Sequence, residues 1–170
     1  MSSLTLLEPD RASRPRVRLA SSDAAPRGCH PPGSRAATHD PRWPQIIATL
    51  TDLRERGRFA VRIVDADCGT GCLLINAVHH ARALGFTAVE GLGIDGSPAL
   101  IGRARAAADR VRDRGVGVAF AMTDMVAALD AERDLQPDIV LWQATNRQST
   151  CPPSLVRLAA AGARVIGVSA

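Results

Sequence analysis

Residues 64–74 read VDADCGTGCLL and join two segments of different periodicity. The run before them, FAVRIV at 59–64, is rich in β-branched residues, which favour strands. After the glycines, apolar residues recur at helical spacing and stop at a glycine: Leu74, Ala77, Val78, Ala81, Leu84 and then Gly85. The stretch therefore predicts a strand, a tight turn where a ligand can approach the backbone, and a helix.

The same alternation continues along the chain. Four further strand-like runs lie at residues 88–94, 116–121, 138–142 and 163–168. Helical patterns lie at 44–57, from Ser97-Pro98 to Gly115, at 125–134 and at 153–160. Strands alternating with helices at this spacing predict βαβ crossovers and a parallel sheet covered on both faces. We therefore expect a three-layer α/β/α domain of five parallel strands, with ligands at the carboxyl ends of the strands.

Composition limits the domain count and the chemistry. The chain has 170 residues, of which 46% are hydrophobic, enough for one domain. Residues 1–40 are rich in Ser, Pro, Arg and Ala without apolar periodicity, which predicts a disordered tail before a domain at 41–170. All 21 basic residues are arginine, and lysine and tyrosine are absent. This composition excludes a lysine Schiff base, a P-loop lysine and a tyrosine acid or base.

Charge and cysteine usage exclude further classes. The formal net charge of +4 is divided about equally between tail and body, and only 3% of the residues are aromatic, so we expect no specific nucleic-acid partner. No apolar run approaches the length of a membrane span. The 4 cysteines form neither a disulfide framework nor a CxxC metal pair. We therefore expect a cytoplasmic protein with no membrane contact and no metal site.

The opening stretch resembles the first motif of the class I S-adenosylmethionine-dependent methyltransferases, which has the pattern D-x-G-x-G-x-G. Asp65, Gly69, Thr70 and Gly71 match this pattern, whereas Asp67 stands where the family has its first glycine. The resemblance implies a Rossmann-like methyltransferase fold and S-adenosyl-L-methionine as the cofactor. The sequence stops with the fifth strand, so we expect it to lack the family's C-terminal antiparallel strand pair.

Three later segments extend the resemblance over residues 42–170. Asp95 follows the second strand and looks like the family's acidic residue that holds both ribose hydroxyls. Asp124 falls where the family commonly contacts the adenine amino group, although it fits a helix cap equally well. Asp138 opens DIVLWQATNR, which resembles the fourth motif, although a residue that only begins the strand also fits. The implied cofactor-binding set is Asp65, Asp67, Gly69, Thr70, Gly71, Asp95 and Asp124.

Catalytic residues stay unassigned at this point. Methyl transfer from a sulfonium is an in-line displacement in which orientation does most of the work. Gln143, Asn146 and Arg147 follow the fourth strand and are candidates for the acceptor side, but none is a good base at neutral pH. His79 and His80 lie opposite the apolar stripe of their helix, on a face expected to be solvated. The DNA methylases of the family that modify exocyclic amines carry DPPY or NPPY after the fourth strand. This sequence has neither motif there, so we expect a small-molecule acceptor.

Two other functions remain open. A non-catalytic cofactor-binding protein fits Asp67, the missing base and the short C-terminus. A dinucleotide-binding oxidoreductase is the third interpretation. It is opposed by Leu74 at the third glycine position of GxGxxG and by the repulsion between a pyrophosphate and Asp65 and Asp67.

The fifth strand carries Val165, Ile166 and Val168. With no later strand to pair with it, this strand is expected to leave an apolar edge open to a partner. The sequence therefore predicts a possible homodimer in which two copies of the fifth strand pair.

Overall fold

The computed structural model describes residues 35–131, 136–143 and 152–168. The strands are β1 (Ala60–Asp65), β2 (Ala88–Asp95), β3 (Val116–Met122), β4 (Ile139–Gln143) and β5 (Arg164–Val168). The helices are α1 (Arg35–Thr38), α2 (Trp43–Glu55), α3 (Cys72–Ala83), α4 (Pro98–Ala108), α5 (Met125–Ala131) and α6 (Pro153–Ala160). The strands form one sheet in which every described pair is parallel. The predicted α/β architecture with five parallel strands is confirmed.

The strand order is β3-β2-β1-β4-β5. The chain runs outward from β1 to β3 and then returns to place β4 on the other side of β1. The order therefore reverses between β1 and β4, and open α/β sheets bind their ligands at such a reversal, beyond the carboxyl ends of the strands. At this point the Ala66 N–H donates to the Leu141 carbonyl at 2.9 Å, which joins the loop after β1 to β4.

Alternate residues of the central strands supply two apolar layers. Ile63 of β1 and Leu141 of β4 pack into the layer that contains residues of α2, α3 and α4. Val64 and Val140 point to the opposite layer, which contains residues of α5 and α6. Because β1 and β4 are buried on both faces, their sequences are nearly continuous apolar runs.

The folded part begins before the boundary predicted at residue 40. Helix α1 lies against α3, and its Ala37 is only 4% exposed. Asp40 accepts a hydrogen bond from the Arg42 backbone N–H at 2.9 Å, which fixes the turn into α2. Residues 35–40, which the sequence assigned to the tail, therefore belong with the domain. The predicted disorder of residues 1–34 concerns residues outside the described ranges.

Helix α4 ends at Ala108 instead of continuing to Gly115. Asp113 explains the difference, because its Oδ1 accepts the Gly115 N–H at 2.7 Å and its Oδ2 accepts from Arg82 Nε at 2.8 Å. These bonds stabilise a turn before β3 where the apolar stripe suggested further helix. Val111 still packs against the core. It fits the apolar spacing because it is partly buried, although it lies beyond the end of the helix.

Candidate functional site

The loop between β1 and α3 is shaped by two glycines in the left-handed region. Gly69 has φ +55° and Gly71, the N-cap of α3, has φ +75°. The loop is tied to the neighbouring strand, since the Cys68 N–H donates to the Ile94 carbonyl at 3.0 Å. The glycine turn predicted from the sequence is therefore present at the carboxyl end of β1.

Phe120 of β3 fills the space that two glycines leave open. A Cβ on Gly71 would lie 2.4 Å from Phe120 Cζ, and one on Gly93 of β2 would lie 2.4 Å from Phe120 Cδ1. A Cβ on Gly69 would meet nothing within 4 Å. Gly71 is therefore needed for packing as well as for its backbone angle, whereas Gly69 is needed for its angle alone.

Asp95, the last residue of β2, fastens two loops together. Its Oδ2 accepts the Gly69 N–H at 3.0 Å, and its Oδ1 accepts the Ser97 N–H at 2.7 Å. The side chain is largely buried but still reaches the cleft described below. Each carboxylate oxygen can accept a second hydrogen bond, so Asp95 retains capacity to bind hydroxyl groups.

A cleft of about 430 Å³ opens beyond the carboxyl ends of β1, β2 and β4. Small-molecule sites are typically roughly 300–1,000 Å³, so the cleft can hold a nucleoside-sized ligand. It is lined by Ala66, Asp67, Ile94, Asp95, Gly96, Thr123, Met125, Trp142, Gln143 and Pro152. The structure thus brings together three of the predicted site residues, Asp67, Asp95 and Gln143. Asn146 and Arg147 lie outside the described residues.

Two predicted positions have structural roles. Asp124 caps α5, because its Oδ1 accepts the N–H groups of Val126 and Ala127, both at 3.0 Å. Its neighbours Thr123 and Met125 line the cleft and Asp124 does not, so the adenine contact stays a prediction. Asp138 stands before β4, at the opposite end of the sheet, where it accepts from the Arg62 N–H at 2.9 Å and from Arg58 Nη2 at 2.7 Å. It is a residue that begins the strand.

A buried ion pair lies behind the glycine loop. Asp65, at the end of β1, is fully buried, and neither of its oxygens has a hydrogen-bond partner of normal geometry within the described residues. Arg42 Nη1 stands 3.7 Å from Asp65 Oδ1. The Arg42 guanidinium is itself held by Asp40, whose oxygens accept from Nε at 3.0 Å and from Nη2 at 2.9 Å. Asp65 therefore faces a cation that is already bound to another carboxylate.

Burial raises the pKa of Asp65 to about 7, because desolvation outweighs the opposing charge of Arg42 and the charge of Asp67 adds to the increase. The sequence indicated Asp65 as a cofactor contact, but it is not among the residues that line the cleft. Sequence reasoning missed Arg42 and Asp40 altogether. Their spacing of two residues before a helix was the only local signal.

The histidines of α3 contribute nothing to the cleft. His79 is exposed, as predicted for a solvated helix face. His80 departs from that prediction, because its ring packs edge-on against Trp43 with 5.7 Å between the ring centroids. Its partial burial lowers its pKa.

Within the described ranges, no group of three or more His, Cys, Asp or Glu side chains is placed to hold a metal ion. The described helices also include none with the length and apolar character that crossing a membrane requires.

No protein-family model matches the chain, and no curated protein matches it. Among solved structures, the chain is similar to one assigned as a protein-L-isoaspartate O-methyltransferase from Plasmodium falciparum, in complex with S-adenosyl-L-homocysteine. The TM-score is 0.50 at 15% identity, over 69% of this chain and 52% of that one. The chain has the class I S-adenosylmethionine-dependent methyltransferase fold.

Two other solved structures are also similar to the chain. One is assigned as a class I S-adenosylmethionine-dependent methyltransferase from Listeria monocytogenes, with TM-score 0.47 and 24% identity over 60% of this chain and 30% of that one. Another is the magnesium protoporphyrin IX methyltransferase from Synechocystis with bound S-adenosylmethionine, with TM-score 0.43 and 21% identity over 69% of this chain and 52% of that one. The chain spans between 30% and 52% of the length of these three proteins.

Proposed function

We propose that this chain binds S-adenosyl-L-methionine and transfers its methyl group to a small-molecule acceptor. The observation that carries the proposal is Asp95, which lines the cleft at the end of β2 and is hydrogen-bonded to the glycine loop of β1. In a methyltransferase-type sheet this arrangement puts a two-oxygen acceptor beside a backbone turn that a ligand can approach.

The cleft residues fit this cofactor. The Asp95 carboxylate suits the two ribose hydroxyls, and the Asp67 carboxylate suits the positive charges of the sulfonium and the ammonium. An added Cβ at Gly69 would meet only open space, so the loop leaves room for a ligand. When bound, the cofactor would supply a methyl group attached to a positively charged sulfonium sulfur. Transfer of this methyl group to a nucleophile leaves the sulfur as a neutral thioether.

Gln143 supplies the acceptor side of the cleft in this proposal. It is the last residue of β4 and lines the cleft next to Trp142. Its amide can donate to and accept from an acceptor, but it cannot remove a proton. We therefore propose that this chain acts mainly by orientation, on an acceptor that presents a lone pair without needing a side-chain base.

The second candidate is a non-catalytic protein that binds the same cofactor. The described residues that line the cleft include two carboxylates, Asp67 and Asp95, but no histidine. A cleft without a stronger base favours this candidate. The dinucleotide oxidoreductase is a weaker third, because Asp67 in the cleft would repel a pyrophosphate.

Turnover separates the first two candidates. The full-length chain is incubated with S-adenosylmethionine carrying a labelled methyl group and with a panel of small amines, thiols, phenols and carboxylates. The proposal expects label in at least one acceptor and an equal yield of S-adenosylhomocysteine. Tight cofactor binding without label transfer to any class of acceptor would support the non-catalytic candidate.

Replacing Asp95 by alanine should weaken cofactor binding by about 2–3 kcal/mol, or roughly 30- to 150-fold, because charge-assisted bonds to the ribose are lost. Calorimetric titration with S-adenosylhomocysteine measures the effect. Asp109→Ala, which removes an exposed carboxylate at the end of α4, is the matched control and should bind normally. Unchanged affinity in a folded Asp95→Ala protein would contradict the assignment of Asp95 to the ribose.

We also propose that the chain forms a homodimer through β5. β5 pairs with β4 on one edge, and no described strand pairs with its other edge. The Arg164 N–H donates to the Asp138 carbonyl at 2.8 Å on the β4 side. Because residues alternate along a strand, the Val165 N–H faces the open edge. An open edge with apolar side chains favours pairing with a second copy.

Val165→Pro should convert this dimer to monomer, because proline removes a donor from the open edge without touching the pairing with β4. Light scattering on the purified chain at tens of micromolar measures the mass. Ile166→Pro is the contrasting variant, since its N–H faces β4 and its loss should destabilise the fold. A monomeric wild-type chain under these conditions would refute the pairing.

A further inference from the structure

Asp67 gives the cleft a charge that the family's glycine at this position would not provide. Asp67 is half-buried and lines the cleft together with Asp95. The described lining residues include no arginine or histidine, and the chain contains no lysine. Among the described lining residues, the charged side chains are therefore all carboxylates.

The nearby cation, Arg42, is shared among several acids. Arg42 lies close enough to Asp65 and Asp67 to interact with both charges. Its guanidinium, however, is already bound by Asp40 through two hydrogen bonds. Arg42 therefore shares its charge among Asp40, Asp65 and Asp67.

Two buried groups lie beside the cleft. Asp65 has no hydrogen-bond partner of normal geometry within the described residues and lies at 0% exposure, next to the loop that carries Asp67. Cys68 is buried beside Asp67, and its thiol pKa is raised by burial and then by the charges of Asp65, Asp95 and Asp67. A positive ligand would reduce the cost of holding these charges together.

We propose that Asp67 is a specificity-determining residue: it makes the cleft bind the sulfonium form of the cofactor in preference to the neutral thioether form. This inference rests on the proposed function. S-Adenosylmethionine carries a sulfonium and an ammonium against one carboxylate, whereas S-adenosylhomocysteine lacks the sulfonium charge. The two compounds have nearly the same shape, so a cleft can distinguish them mainly by charge. A carboxylate that lines the cleft attracts the charged form more strongly than the neutral form, and the attraction increases as the sulfur comes closer to it.

The test compares three ligands by calorimetric titration of the full-length chain. They are S-adenosylmethionine, S-adenosylhomocysteine and sinefungin, in which a protonated amine replaces the sulfonium. At low salt the wild type should bind the two cationic ligands roughly 10- to 100-fold more tightly than the thioether. The preference should decrease as salt is added, because ions screen the field.

Asp67→Asn keeps the size of the side chain and removes its charge. This variant should lose most of the preference, mainly by weaker binding of the two cationic ligands, and Asp67→Gly should do the same if Asn disturbs the loop. Asp109→Asn removes one exposed charge far from the lining residues and should keep the full preference.

Two results would overturn the inference while the proposed function stands. One is equal affinity of the wild type for the charged and neutral ligands, and the other is an unchanged preference in both Asp67 variants. If none of the three ligands binds to the folded chain, the proposed function fails and this inference fails with it.

Discussion

Gly71→Ala is expected to lower the free energy of unfolding by roughly 2–5 kcal/mol, the sum of left-handed backbone strain and core overpacking. Gly71 has φ +75°, which costs energy for any residue with a Cβ. The new methyl group would also lie 2.4 Å from Phe120 Cζ and 3.2 Å from Ala104 Cβ. Phe120 cannot move freely, because its ring also lies against Gly93. Urea denaturation followed by circular dichroism measures the change.

Gly69→Ala is the matched control. Gly69 has φ +55° but an open environment, so only the strain of roughly 1–2 kcal/mol should appear. A Gly71→Ala, Phe120→Leu double variant should recover part of the overpacking cost, because leucine withdraws atoms from the contact. Equal destabilisation by the two single alanine variants would show that Phe120 does not crowd Gly71.

Asp65→Asn should change how stability depends on pH. The pKa of Asp65 is raised to about 7 in the fold by burial, whereas it is about 3.9 in an unfolded chain. Between these values the folded state keeps the proton and the unfolded state loses it. Stability contributed by this group therefore falls as pH rises from about 4 to about 7, by an amount on the order of 4 kcal/mol.

The asparagine variant does not titrate, so its stability relative to wild type should rise over this pH window and then level off above about pH 7. Denaturation curves at several pH values measure the difference between the two proteins. Asp109→Asn, which removes one exposed carboxylate, serves as the control variant. Parallel stability curves for Asp65→Asn and wild type would contradict the raised pKa.

The order of strands and helices was predictable because burial leaves a local periodic pattern. β1 and β4 are buried on both faces and could be recognised as apolar runs. The end of α4 was not predictable in the same way. Val111 is partly buried at helical spacing, and only the turn made by Asp113 shows that the helix has already ended.

In the candidate site too, residues that belong to local motifs were predictable, and contacts between distant segments were not. Asp95 and the glycine loop depend on short motifs, so the sequence could indicate them. The contact between Arg42 and Asp65 depends on how the chain before α2 is placed when α2 packs against α3 and β5, and no periodic signal connects the two residues. Phe120 filling the space beside Gly71 and Gly93 is likewise a contact between distant segments. Asp124 caps α5, which is one of the two roles that its position in the sequence indicated.

Cofactor binding by the full-length chain tests the central claim most directly. Calorimetric titrations with S-adenosylmethionine and with NADH are run side by side on protein shown to be folded by circular dichroism. The account predicts saturable binding of one S-adenosylmethionine per chain, weakened by Asp95→Ala, and no binding of NADH. Tight binding of NADH, or a folded chain that binds no S-adenosylmethionine, would contradict it.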